Sequence, residues 1–302
     1  MTNKPIDPVI AFIGLGVMGA PIARRMRQGF NRVIGFDLSP EARSAAVSHG
    51  IVAAESVAEA VREAQCIFMM LPKVEIAREV TQEVIAHAPR GSILVELGTI
   101  GSEAACQHAR WAQEAGHRYL DAPVINGGQQ GAQDGTLKIL AGGDASDVAA
   151  VTQALRSFST ETFHMGPVGT GQSMKLVHNT LLAALTTSYA EALVLAEKSG
   201  IGAARALEIL KVGSTRSFAL EWLFPPAVRG DFGGGAKVDI LVKDLLLGQR
   251  EVERFQVPAS MAARATTLYQ SCQAQGLGQL DMSAIFKLLS EQPHELTWAS
   301  PT

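Results

Sequence analysis

The chain has 302 residues, with 26 Lys+Arg against 29 Asp+Glu for a formal net charge of −3, and is 47% hydrophobic and 18% charged. That composition excludes a disordered chain, a basic nucleic-acid binder and a protein drawn to anionic membranes. At about 150 residues per domain, the length predicts two domains. Cys66, Cys106 and Cys272 form neither a disulfide framework nor a C-x-x-C pair, which suits a reducing, cytoplasmic setting. The opening MTNKPIDPVIAFIGLG reads as neither a signal nor a transit peptide, and no stretch reaches the roughly 18 apolar residues of a membrane span. The seven histidines are scattered without ligand spacing, so no metal is expected. Trp111, Trp222 and Trp298 are too far apart to make a stacking platform.

In chain order, strands are expected at Val9–Ile13, Val33–Phe36, Cys66–Leu71, Ile93–Leu97, Tyr119–Pro123, Leu137–Ala141 and Thr162–His164. Ala-rich amphipathic stretches such as Ala20–Arg27, Pro40–Ser48 and Val57–Glu63 fall between several of them. The alternation predicts an α/β domain with a parallel sheet and helices on both faces. Its strands read as continuous apolar runs, as expected of strands buried on both sides. After Gly171 the pattern changes. From Ser173 to Ser199 there is neither Gly nor Pro, and Gly200 follows as a C-cap. A helix over about 173–199 would span about 40 Å. Leu, Ala and Met lie on nearly every face of it, predicting burial all round. Only helices are read beyond, at Ala203–Val212, Phe218–Phe224, Val238–Phe255, Pro258–Gln275 and Met282–Gln292. The expected domains are therefore 1–166, α/β, and 167–302, all-helical.

The first strand runs into Gly14-Leu15-Gly16-Val17-Met18-Gly19 and then a helical stretch, the G-x-G-x-x-G fingerprint in strand–turn–helix context. The first glycine permits the tight turn and the second a close approach to a pyrophosphate. The third allows helix–strand packing, with the anion at the helix N-terminus. The second strand ends at Phe36-Asp37, 18 residues past Gly19, where an acid accepts hydrogen bonds from ribose hydroxyls and repels a 2′-phosphate. Leu38-Ser39-Pro40 follow without an arginine, so NAD is expected over NADP, although Arg43 is close in sequence.

Four ordered segments, GLGVMGAPIARRM (14–26), MMLP (69–72), DAPVINGGQQGAQDGTL (121–137) and GPVGTGQSMKLVHN (166–179), with VKDL at 242–245, resemble the 3-hydroxyisobutyrate dehydrogenase family of β-hydroxyacid dehydrogenases. The resemblance covers most of the chain. It implies a Rossmann-type domain followed by a helical one, and hydride transfer between a nicotinamide and a small 3-hydroxy acid or its semialdehyde.

By the resemblance, Lys175 is the general acid/base and Asn179 holds it or the substrate. The i+4 spacing puts both side chains on one helix face, near an expected interdomain cleft. The chemistry agrees, since a lysine desolvated in a closed cleft can shuttle a proton. His178 stands where many relatives carry a second Asn and reads as a packing residue. The segment Asp121–Gly135 is expected to bind the substrate carboxylate through backbone N–H groups around Gly127 and Gly128. Relatives usually read DAPVSGG; DAPVINGG is one residue longer, with Asn126 as the substitute donor. Leu71 and Pro72 would flank the nicotinamide or its ribose. Thr99 matches the second residue of a family Ser-Thr pair, with Gly98 in place of the serine. Lys243 is the family's second lysine near the cofactor, the alternative being an Asp239–Lys243 helix pair. Ala236 stands where relatives often carry a Phe, which would admit a bulkier substrate.

Two other readings use the same scaffold. Imine reduction is favoured in relatives that lack the lysine, and a non-catalytic NAD(P)-binding module would be expected to carry tails or a reader domain. 6-Phosphogluconate dehydrogenases share the architecture but are longer. Partners are expected to be a small anionic hydroxy acid and further copies of the chain, as a homodimer or homotetramer built through the helical half. No nucleic acid or membrane is expected.

Overall fold

The strand-forming runs of the first half assemble as one nine-stranded sheet in the computed structural model, which describes residues 8–291. Trp298 and the expected helix end at Gln292 lie outside the described residues. The strands are β1 (Ile10–Ile13), β2 (Val33–Phe36), β3 (Val52–Ala53), β4 (Cys66–Met69), β5 (Ile93–Glu96), β6 (Arg118–Asp121), β7 (Val124–Ile125), β8 (Leu137–Gly142) and β9 (Ser159–Gly166). They lie in the order β3-β2-β1-β4-β5-β6-β8-β7, with β9 beside β8. The first six run parallel. The order reverses between β1 and β4, where ligands of such sheets bind at the carboxyl ends of the strands.

Side-chain alternation explains the continuous apolar runs. Ile10, Phe12, Val33, Phe68, Ile93 and Val95 pack into one buried core. Their neighbours Ala11, Ile13, Ile34, Ile67, Met69 and Leu94 pack into a second one. Successive strand residues face opposite sides, so a sheet covered on both sides needs apolar residues at every position. The covering helices include α1 (Gly19–Gly29), α2 (Pro40–Val47), α3 (Val57–Val61), α4 (Val74–His87) and α5 (Ser102–Glu114).

The sheet is not wholly parallel. The expected strand Tyr119–Pro123 divides: β6 ends at Asp121, and β7 pairs antiparallel with β8. Only residues 126–136 join β7 to β8, fewer than the dozen or more that a parallel crossover takes. They contain a short helix, α6 (Gly128–Asp134), in a segment for which the sequence predicted no helix. Then α7 (Ala145–Arg156) crosses over, so that β9 returns parallel to β8.

Chain contacts divide the protein into two compact units, Met1–Val177 and His178–Thr302, so that the division falls inside the long helix α8 (Thr170–Lys198). This helix starts three residues before the expected Ser173. Gly171 does not interrupt it: a Cβ at 171 would lie 2.2 Å from the Leu140 carbonyl oxygen. The glycine therefore lets the first turn pack directly on β8. Burial on every face, expected from composition, is not found in the single chain. Val177, Leu181 and Leu195 are 59%, 59% and 67% exposed, because the covering helices reach only part of the circumference.

The second unit continues with α9 (Ala203–Leu210), α10 (Phe218–Ala227), α11 (Val238–Arg254), α12 (Ser260–Ala274) and α13 (Ala284–Glu291). Its core gathers Leu193, Leu220, Phe224, Leu241, Leu245, Leu268, Tyr269 and Ile285. The Tyr269 hydroxyl is satisfied by Thr186 Oγ1 at 2.6 Å and the Met282 carbonyl at 2.9 Å. No described helix is long and apolar enough to cross a membrane.

A buried histidine in the first unit makes stability depend on pH. His108 is 1% exposed, lies 3.3 Å from Thr81 Oγ1 and stacks on Trp111. Burial, with the Arg78 charge second, lowers its pKa from 6.5 to about 4. Between those values the unfolded chain takes up a proton that the folded one refuses. Its contribution is thus complete above pH 6.5 and is lost as pH falls toward 4, up to about 3 kcal/mol. Urea unfolding at pH 7 and pH 5 is expected to show this loss. His108→Asn should flatten it, and an unchanged slope would count against this assignment.

Candidate active site

The three glycines of the first turn face three different surroundings. Gly14 has φ +95°, and a Cβ there would lie 2.4 Å from the Met70 carbonyl oxygen and 3.3 Å from Leu71 Cδ2. A Cβ on Gly19 would lie 1.8 Å from the Gly14 carbonyl oxygen and 2.9 Å from the Phe12 ring. At Gly16 a Cβ would meet nothing within 4 Å. The protein itself thus requires Gly14 and Gly19, whereas the bare backbone at Gly16 faces open space, as close approach by a pyrophosphate requires. Leu15 is buried, Val17 is exposed at the tip, and Met18 precedes the first helical residue. These residues fit a dinucleotide.

Asp37 follows β2, and its carboxylate accepts hydrogen bonds from Leu15 N at 2.8 Å and Ser39 N at 2.9 Å. The two N–H groups fix the acid beside the glycine turn and leave acceptor capacity for further donors. Arg43 is near but committed: it donates to the Asp37 carbonyl at 2.9 Å and pairs with Glu55 at 2.8 Å. Leu71 and Pro72 lie just beyond β4, and Thr99 lies in the loop beyond β5. A Cβ at Gly98 would lie 2.7 Å from Glu96 Oε1 and 2.8 Å from the Leu71 carbonyl oxygen, so the glycine lets its loop pack closely on Glu96 and Leu71. The Gly14, Leu71 and Gly98–Thr99 positions are therefore neighbours at the carboxyl ends of β1, β4 and β5.

The segment after β7 adopts three successive left-handed residues, Asn126 at φ +68°, Gly127 at +79° and Gly128 at +50°. Asparagine tolerates that region and glycine occupies it freely, whereas a β-branched residue such as Ile125 would be strained. Asn126 is exposed at the mouth of this turn. Lys175, on the second turn of α8, donates from Nζ to the Val124 carbonyl at 2.8 Å. The amine is thus held two residues before the left-handed turn.

Asn179 and Lys243 lie in the second unit and meet through Asp244. Asn179 Nδ2 donates to Asp244 Oδ2 at 2.7 Å, and Lys243 Nζ lies 3.0 Å from Asp244 Oδ1. Asp239 is instead bonded by Gln273 and Gln279, at 2.8 and 2.7 Å. His178 donates from Nδ1 to Asn179 Oδ1 at 3.0 Å. Ala236 is exposed, and its carbonyl accepts from Met282 N at 2.9 Å.

Sequence reasoning gave Asp121 no role of its own beyond opening the 121–135 segment, and Gln172 none. Asp121 is buried at the end of β6 and caps the start of α8, accepting from Gly169 N and Gln172 N, both at 2.7 Å. Burial pushes its carboxyl above the ordinary value, against the downward pull of these backbone hydrogen bonds. The available signal was an acid ending an apolar strand, a place where a buried carboxylate must find donors.

A sheet of this order, with a glycine turn open at its second position and an acid after β2, has the features of a dinucleotide-binding domain, followed here by a helical second unit. Residues 9–166 match the family model described as the NAD binding domain of 6-phosphogluconate dehydrogenase. Residues 169–289 match the one described as NAD-binding of NADP-dependent 3-hydroxyisobutyrate dehydrogenase. The chain is 34% identical to 2-(hydroxymethyl)glutarate dehydrogenase of Eubacterium barkeri over 92% of its length and 94% of the relative's. It is also 34% identical to the NAD-dependent L-serine dehydrogenase of Pseudomonas aeruginosa, over 92% and 97%. The solved structure of Mycobacterium tuberculosis 3-hydroxyisobutyrate dehydrogenase with L-serine superposes with a TM-score of 0.87 at 32% identity, covering 94% of this chain and 99% of that one. The chain belongs to the 3-hydroxyisobutyrate dehydrogenase family and is an NAD(P)-dependent β-hydroxyacid dehydrogenase.

Proposed function

We propose that the protein oxidises a small 3-hydroxy acid, or reduces its semialdehyde, with Lys175 as general acid/base and with NAD preferred over NADP. The observation that carries this reading is the Lys175 Nζ hydrogen bond to the Val124 carbonyl at 2.8 Å. Val124 immediately precedes Ile125 and the left-handed turn 126–128, so the proton-transfer group is held against the stretch of chain that forms the anion cradle. A bound nicotinamide supplies the hydride acceptor or donor. In the oxidative direction Lys175 Nζ takes the hydroxyl proton, and the N–H groups of Asn126, Gly127 and Gly128 hold the carboxylate. Asn179 supports the substrate, and Leu71, Pro72, Thr99 and Lys243 serve the cofactor. Asp37 receives the ribose hydroxyls and repels a 2′-phosphate, with Arg43 neutralised by Glu55.

The named relatives' substrates share a hydroxymethyl group on the carbon that bears the carboxylate. The same primary alcohol is the expected reacting group here. An assay over 3-hydroxyisobutyrate, 3-hydroxypropionate, D-glycerate, L-serine and 4-hydroxybutyrate with each nicotinamide tests the reading. Oxidation of 3-hydroxy acids is expected, with kcat/KM for NAD at least about tenfold above NADP, which corresponds to about 1.4 kcal/mol. NADH binding without oxidation of any member would overturn it.

The reading extends to assembly and location. The exposed row Val177, Leu181 and Leu195 on α8 is covered by a second copy, giving a homodimer or homotetramer. A monomeric mass in sedimentation at micromolar concentration counts against that. The three free thiols, Cys66, Cys106 and Cys272, fit the cytoplasm.

A further inference from the structure

Gln172 is fully buried one turn before Lys175 on α8, and its side chain bonds to a single loop beyond β5. Its Oε1 accepts from Ile100 N at 2.9 Å and Gly101 N at 3.1 Å, and its Nε2 donates to the Gly98 carbonyl at 2.8 Å. These bonds bracket Thr99 on both sides and use both acceptor sites of the amide. The loop is also fixed from the sheet, by Gly98 N donating to Glu96 Oε1 at 2.7 Å. The backbone of Gln172 is anchored in turn, since its N–H reaches Asp121 Oδ2 at 2.7 Å. One buried residue therefore ties the Thr99 loop to the helix that carries Lys175.

We propose that Gln172 is a positioning residue that sets the Thr99 loop relative to Lys175 and so the approach of the reacting carbon to the nicotinamide. This rests on the roles assigned above to Lys175 and Thr99. A Gln side chain is suited to the task because a planar amide can accept two N–H groups and donate to a carbonyl of the same loop. A hydrocarbon of equal length would leave three buried backbone groups to find other partners. Hydride transfer depends steeply on placement, and a shift of about 1 Å costs on the order of 10²-fold.

The test is Gln172→Met, of similar length without the amide. It is expected to lower kcat roughly 10²-fold while KM for NAD and for the hydroxy acid stays within about threefold. The isotope effect with substrate deuterated at the carbinol carbon should rise as hydride transfer becomes rate-limiting. Hydrogen exchange of the NADH-bound protein gives a readout independent of turnover: the Ile100 and Gly101 amides should lose protection, while those of the 14–19 turn keep it. A merely structural role would lower the fraction of protein that binds NADH and leave kcat per binding site and the isotope effect unchanged. That result, or full protection of Ile100 and Gly101, overturns the proposal. Gln172→Glu keeps both accepted bonds and loses the donated one. It should lose less of kcat and keep the Ile100 and Gly101 amides protected. If the Met variant does not fold, it carries the kinetic test alone, a lowered kcat with a raised isotope effect supporting the proposal and unchanged values overturning it. If Lys175→Ala turns over at the wild-type rate, the general-base assignment fails, while the exchange result on residues 98–101 still stands or falls by itself.

Discussion

Lys175→Ala is expected to lower kcat by about 10³-fold or more while changing the NADH dissociation constant by no more than about threefold. General acid/base groups contribute about 10²–10⁴-fold, and no other titratable side chain has been assigned to the proton. The dinucleotide contacts proposed for Gly14–Gly19 and Asp37 involve neither Lys175 nor its Val124 partner. The fold should survive, since Lys175 is half-buried and the change removes a hydrogen bond to one backbone carbonyl, about 1 kcal/mol. Lys175→Arg should not restore the rate, because a guanidinium keeps its proton throughout the working range. Steady-state oxidation of the best substrate and NADH fluorescence titration separate the two effects. Near-wild-type turnover by the Ala variant would falsify the assignment of Lys175.

Much of the fold is legible because its signals are local. A continuous apolar run such as Ile10–Ile13 announces a strand buried on both faces, and the glycine spacing announces the turn that follows. What the sequence hid depends on contacts between distant residues. Asp121 reads as the end of a strand, yet its carboxylate meets Gly169 and Gln172, 48 and 51 residues away. Gln172 reads as one polar residue near a helix start, yet its amide serves a loop more than 70 residues earlier. Two-residue β7 is too short for any periodicity, and α6 holds two glycines, Gly128 and Gly131, in seven residues, a helix-breaking signal that tertiary packing overrides: Gly131 lies against Asn126 and Leu137, where a Cβ would come within 2.8 and 3.1 Å. The composition of α8 was apolar enough to predict full burial, but composition does not say how many neighbours are available. That is why Val177, Leu181 and Leu195 emerge uncovered in the single chain.

Two alanine substitutions three residues apart in the same motif are expected to fail in opposite ways. Gly19→Ala should unfold or strongly destabilise the first unit, because its Cβ would lie 1.8 Å from the Gly14 carbonyl oxygen and 2.9 Å from the Phe12 ring. The obstructing oxygen belongs to backbone that is itself fixed: Gly14 N donates to the Phe36 carbonyl at 2.8 Å. Relief therefore requires α1 to move off β1. Overpacking of this kind costs about 1–3 kcal/mol when side chains can yield, and more when backbone must. Gly16→Ala meets nothing within 4 Å, and Gly16 is not among the residues at positive φ. Reduced freedom of the unfolded chain should leave its stability unchanged or raised by about 0.4–1 kcal/mol. Its NADH affinity should nevertheless fall at least about tenfold, because the methyl group occupies the space through which a pyrophosphate approaches the backbone. Thermal unfolding without ligand and NADH titration of the folded variants measure the two losses separately. A Gly16→Ala protein that binds NADH as the wild type does would mean that the open space beside this turn is not the pyrophosphate site.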